Sequence, residues 1–320
     1  MIGQRYRDFV DELARYIAQT GDERCTGIAE RLDAPVRVAV GGRGGVGRRT
    51  VARALARAGI VVTPSPDDAD LQVYVLAEVV KPEDRDAVGA ARQPVLAVLN
   101  KADVVAGPTA ALGVPVEPMV AMLAVAVLDG LLDDTLWAAL RMLADRPADV
   151  SSPDSFLTAD HPLPAQLRRR LLDTLDLVGI IQAAAALARG ASTASIEAEL
   201  RRLSRLDAVV AAITAAGAGV RYQRLLDAVA DLEAMAVTDS SVAAFLARDQ
   251  TVIARMAAAT DVVEAAGLHV DRCDSPAALL RRALHWQRYG RGPVTSVHRA
   301  CGADIAKGSL RLWSQAGGPP

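Results

Sequence analysis

Five glycines fall within seven positions in the run Gly41-Gly42-Arg43-Gly44-Gly45-Val46-Gly47, and no other stretch limits the fold as tightly. A mostly apolar, strand-like segment (Val36 to Val40) leads in, and an Ala/Arg/Leu helix (Val51 to Ala58) leads out. In that order, glycines let consecutive backbone N–H groups curl around a phosphate at the positive end of a helix. Against the spacing GxxxxGK[ST], Gly42 and Gly47 are in register. Arg48 stands at the lysine, Arg49 stands at the hydroxyl that holds Mg²⁺, and Thr50 comes one place late. The phosphate-binding set is therefore Gly42, Gly44, Gly45, Val46, Gly47, Arg48, Arg49 and Thr50. Two alternatives stay open: a register shifted by one, which gives Arg49 and Thr50 the two roles, and a plain tight turn.

The side chains decide what such a loop can do. A guanidinium is broad, planar and hydrogen-bonds as a fork, so Arg48 does not stand in simply for a compact ammonium. Arg49 has no acceptor oxygen and cannot ligate Mg²⁺. No catalytic residue and no metal ligand is assigned, and a bound nucleotide is not expected to require Mg²⁺.

A second motif follows a second strand. Pro94 to Leu99 is an apolar run that passes directly into Asn100-Lys101-Ala102-Asp103, the pattern NKxD. In this pattern the Asp carboxylate accepts two hydrogen bonds from guanine, at N1–H and the exocyclic amine. The Lys stem covers the base plane and the Asn ties its loop to the phosphate loop. Asn100, Lys101 and Asp103 are therefore guanine-binding candidates, and GTP or GDP is the expected ligand. Taken alone, the four residues could equally be a helix N-cap.

Between the motifs, Gly59 to Thr63 and Asp70 to Leu76 read as strands, with only Pro64 to Ala69 joining them. No DxxG occurs there. Arg48 and Asn100 are 52 positions apart. That distance leaves no room for the switch segments that sense a γ-phosphate and position the attacking water.

The run Arg31 to Gly42, the Gly47-Arg48-Arg49-Thr50 turn and the following Arg53-Ala54-Leu55 resemble the start of the GTPase domain in bacterial dynamin-like GTPases of actinobacterial type. Those continue as GKST followed by Asn-Ala-Leu, so the resemblance is to a degenerate, pseudo-GTPase member. It implies that Gly113 to Ala121 is the last nucleotide-contacting strand and turn, with the Ala121 N–H offered to guanine O6. Val120 replaces the usual serine there. A weaker resemblance, of Arg43 to Thr50 to the KGGVGKTT loop of ParA/MinD-type ATPases, has arginines at both lysines.

Three parts are expected: an N-terminal helix over 1–30 with Phe9, Leu13, Tyr16 and Ile17 on one face, an α/β domain over 35–147, and a helical bundle over 155–320. The fold class is α/β: a small doubly wound domain with a mostly parallel sheet, without the switch-region strands, plus an all-α bundle. Residues 147–154 read as the linker. Hydrophobic residues make up 51% and aromatics only 3%, so Ala, Leu and Val must build the core. A net charge of −2 gives no electrostatic case for nucleic acid. Charges at Arg5, Arg7, Asp8, Asp11 and Glu12 argue against a secretory leader. The apolar runs 118–128 and 208–220 fall short of the about 20 residues a bilayer needs.

Smaller features carry structural expectations. The three cysteines are expected to be buried thiols, and the four scattered histidines to be unrelated to a metal. Trp286 and Tyr289 are expected to pack in the core. Arg168 to Arg170 reads as a solvated helix face, and Ala211 to Val220 as a flexible turn between helices or, under the dynamin-like resemblance, a membrane-touching tip.

The resemblance implies a cytoplasmic protein, peripheral at the inner face of the membrane. Its expected role is as hetero-oligomeric partner of an intact dynamin-like GTPase in membrane or cell-envelope remodelling. A weakly active GTPase and a structural adaptor that binds no nucleotide are the alternatives.

Overall fold

The computed structural model describes residues 4–102 and 112–317. The chain begins with helices α1 (Gln4–Thr20) and α2 (Thr26–Asp33). An alternating region follows: β1 (Arg37–Gly42), α3 (Arg48–Arg57), β2 (Val61–Thr63), β3 (Leu71–Leu76), α4 (Pro82–Gly89), β4 (Val95–Asn100), β5 (Val116–Met119) and α5 (Ala121–Leu128). Helices α6 (Asp134–Asp145), α7 (Pro153–Thr158), α8 (Ala165–Ala188), α9 (Thr193–Ser204) and α10 (Leu206–Ala236) come next. The chain closes with α11 (Ser240–Ala247), α12 (Asp249–Ala265), α13 (Pro276–Gly290) and α14 (Ser296–Gln315).

These elements form two compact units, 37–213 and 1–36 with 214–320. The sequence reading put the boundary in the polar 147–154 stretch. In the structure α7 to α9 belong with the sheet, because Phe156, Leu163, Leu171, Leu175, Ile196 and Leu200 share one core with Leu123, Leu136 and Leu140. The boundary falls instead inside α10.

Among the described residues of the first unit the five strands are all parallel, in the order β2-β1-β3-β4-β5. β3 and β4 are almost wholly buried, which is why Leu71–Leu76 and Val95–Asn100 read as continuous apolar runs. β2 is cut to three residues, and Thr63 pairs only as far up as Ala39. Because β3 starts level with Val38, the chain crosses from one side of β1 to the other in residues 64–70 without a helix of full length. Asp70 anchors that crossing: its N–H donates to Arg37 O (2.8 Å) and its carboxylate accepts from Arg37 N (2.8 Å).

α8 is long and apolar enough to match a membrane span by length and composition. It is broken at Asp176, whose φ of 57° and ψ of 174° leave the helical region. Arg168, read from the sequence as part of a solvated face, is buried, and its Nη1 donates to Ala159 O (2.6 Å); Arg169 and Arg170 are exposed.

In the second unit α1 packs Tyr6, Phe9, Leu13 and Tyr16 into a core with Tyr222, Leu225, Phe245, Val263 and Trp286. Tyr289 packs against it. Gly290 and Gly302 let α13 and α14 meet closely, since a Cβ on Gly302 would lie 2.8 Å from Trp286 O. Residues 211–220 are helical and continuous within α10, so neither the turn nor the tip expected there exists. Cys25 and Cys301 are buried, whereas Cys273 is exposed.

Candidate functional site

The strand order fixes where a ligand can sit. The chain leaves β1 toward β2 on one side and returns to β3 on the other, so the carboxyl ends of β1 and β3 are the topological switch point, where parallel sheets of this kind take their ligands. Residues 43–47 leave β1 at that point.

Three of the loop glycines, Gly42, Gly45 and Gly47, take a positive φ, and at Gly42 and Gly47 close contacts exclude a side chain as well. Gly42 pairs with Val75, has φ +134°, and a Cβ on it would stand 2.4 Å from Val75 O. Gly47 has φ +89° and caps α3 in the left-handed conformation, with no side chain to accept from the first turn. The N–H groups of Arg48, Arg49 and Thr50 have no acceptor among the described residues, and with the helix dipole they form a positive end that favours an anion. The Arg48 and Arg49 side chains are exposed, and neither has an ion-pair partner among the described residues. Thr50 is half-buried and Val46 is buried. Gly44 and Gly45 face open space.

Asn100 ends β4 and is 4% exposed. Its Nδ2 donates to Val46 O (3.0 Å), and its Oδ1 accepts from Ala121 N (3.1 Å). One amide thus fastens the glycine loop to β4 and to the first residue of α5. This occupies the Ala121 N–H, which the resemblance had assigned to guanine O6. Ala121 is fully buried, so it braces Asn100 and is not presented to a ligand. Lys101 is exposed, with φ +58°, and Glu78, two residues beyond β3, has φ +66°. Both sit in the left-handed region, which costs about 1–2 kcal/mol for a residue with a Cβ, at the ends of β4 and β3. Asp103 lies outside the described residues.

A cluster that the sequence reading missed adjoins the loop. Arg43 Nε donates to Asp84 Oδ1 (2.8 Å), and its Nη2 reaches Val79 O (3.4 Å). Tyr74 on β3 donates to the same oxygen (3.0 Å), and Lys81 N donates to Oδ2 (2.8 Å). Asp84 is fully buried. Burial pushes its carboxyl up, but the Arg43 guanidinium, the Lys81 N–H and the Tyr74 hydroxyl outweigh this and hold it below the usual carboxylate range. Tyr74 is pushed up to about 12 by burial and by its bond to Asp84. Pro82-Glu83-Asp84 is legible as an acidic helix start, but nothing in sequence pairs Asp84 with a loop 41 residues away.

On the far side of α3, Arg53 and Arg57 both reach the buried Asp129 (2.5 Å each), which ties α3 to the end of α5. Arg53 holds the position where the resembling family has Asn. Among the described residues no group of three or more His, Cys, Asp or Glu is gathered as a metal site. No protein-family model matches the chain, and no curated protein is significantly similar to it.

Proposed function

We propose that the chain binds a guanine nucleotide at the 42–50 loop without turning it over efficiently, as a degenerate P-loop GTPase. The observation that carries this is Asn100, which joins the glycine loop to the end of β4 through Val46 O. A plain turn would have no need of a buried amide coupling it to a strand two places across the sheet. The open N–H groups of α3 supply a phosphate cradle, and Arg48 and Arg49 supply positive charge in place of lysine and metal. Guanine preference rests on Asp103 in the NKxD pattern. Weak turnover follows from chemistry: metal, lysine and switch residues neutralise and orient the transferring phosphate together, and this chain replaces or omits each.

The resemblance to dynamin-like GTPases carries the wider proposal that the protein works as partner subunit of an intact member, peripheral to the cytoplasmic face of a membrane. The test of the site is calorimetric titration with GDP, GTP and ADP, with Mg²⁺ and with EDTA. Binding of guanine nucleotide that persists in EDTA supports the proposal. Equal affinity for ADP and GDP would remove the guanine assignment, and a strict Mg²⁺ requirement would favour the shifted register, with Thr50 as the metal ligand.

A further inference from the structure

We infer that the helical unit holds a second ligand site, a pocket beside α13 that takes a free α-amino acid with an apolar side chain. The pocket lies wholly within the unit formed by 1–36 and 214–320 and is independent of the nucleotide-binding proposal above.

Its anchor is an arginine on the apolar face of a helix. α13 buries Leu279, Ala283, Trp286 and Gly290 along one stripe, and Arg282 stands on that stripe at 7% exposure, while Arg281 and Arg288 are exposed. Arg282 Nε donates to Ser309 Oγ on α14 (2.9 Å), and Nη1 donates to Asp271 O (2.7 Å). Nη2 is buried with no hydrogen-bond acceptor among the described residues. A buried charged donor left in that state is costly. Asp274 Oδ1 lies 3.7 Å from it, too far for a hydrogen bond, on a side chain that is 76% exposed.

Arg282 lines a cavity of about 210 Å³, smaller than the about 300–1,000 Å³ of pockets for drug-sized molecules, so its occupant is small. The walls divide by chemistry. Met256, Val270 and Leu312 supply apolar surface, and Asp271 and Asp274 supply carboxylates. Thr260 gives its hydroxyl hydrogen to Met256 O (2.9 Å) and keeps only acceptor capacity. Arg272 also lines the cavity, but its Nη2 is held by both oxygens of Glu264 (2.9 Å each). The pocket therefore asks its ligand for an acceptor toward Arg282, a donor toward the acids and an apolar tail. A simple anion would satisfy the guanidinium but meet two carboxylates. An α-amino acid carries its carboxylate and ammonium on one carbon, so a single head group reaches Arg282 Nη2 and Asp274 together.

The test is calorimetric titration of the full-length protein with leucine, leucine amide and isocaproate. Leucine should bind with a Kd below about 1 mM. Leucine amide lacks the carboxylate and isocaproate lacks the ammonium, so each should bind at least about tenfold more weakly, as one lost charge-assisted hydrogen bond requires. Asp274→Asn alters an exposed side chain, and should weaken leucine at least about threefold while leaving isocaproate unchanged or tighter. Arg282→Gln should abolish leucine binding; if that variant does not fold, Asp274→Asn and the two analogues decide. No binding of leucine to the folded parent at about 10 mM would overturn the site and leave water as the partner of Nη2. Equal affinity for leucine and either analogue, or unchanged leucine affinity in Asp274→Asn, would overturn the amino-acid assignment.

Discussion

A Cβ on Gly47 would stand 2.3 Å from Asn100 Nδ2, so the last loop glycine and the last residue of β4 are in contact with no space for a side chain between them. Gly47 also needs φ +89°. Gly47→Ala should therefore cost stability by about 1–3 kcal/mol, from the clash and the left-handed backbone together. Gly44 has open space and no positive φ, so Gly44→Ala should stay within about 0.5 kcal/mol. Urea unfolding of the two variants checks this. Equal losses would mean that the loop is not seated on Asn100.

Asn100 uses both ends of one amide, on Val46 O and Ala121 N. Asn100→Ala leaves a buried acceptor and a buried donor unpaired, which should cost about 1–3 kcal/mol for each orphaned group. The loop should also lose its register, and with it nucleotide affinity. Chemical unfolding and nucleotide titration of this variant read the two effects separately.

Asp103 is the only carboxylate in the NKxD run. Losing one charged, bidentate partner typically costs ~1.5–3 kcal/mol, so Asp103→Ala should weaken GDP at least ~10-fold. ADP affinity, which gains nothing from that carboxylate, should change little. Parallel titrations of both nucleotides measure this, and an equal drop in both would point to general damage.

The strands and the glycine loop were legible because a parallel sheet buried on both faces writes its strands as continuous apolar runs, and because only glycine tolerates the backbone at Gly42 and Gly47. The 211–220 segment misled for a physical reason. Gly217 and Gly219 read as a break, yet each costs only about 1 kcal/mol inside a helix, and the surrounding alanines and packed neighbours override it. The 153–213 helices were assigned to the wrong neighbour because an amphipathic helix advertises an apolar face without naming what covers it. The Arg43–Asp84–Tyr74 cluster and the buried Arg168 depend on long-range packing of charged residues, which composition and spacing do not encode.

Turnover by the isolated protein should be indistinguishable from buffer, because each missing element alone removes a few kcal/mol of transition-state stabilisation. Arg48→Lys with Arg49→Ser should restore ordinary phosphate binding without restoring hydrolysis, since no switch returns with them. GTP hydrolysis by the unmodified chain above ~0.01 s⁻¹, the rate of a GTPase with its arginine in cis, would show an enzyme.

Hydrogen exchange of backbone amides with and without saturating GDP reads the site most directly. The first-turn amides of α3, at Arg48, Arg49 and Thr50, have no acceptor among the described residues and should be slowed by a bound phosphate, together with the amides of 100–103. Protection confined to those two stretches is the predicted result. Unchanged exchange at 46–50 in a sample that demonstrably holds GDP would contradict a phosphate site on this loop.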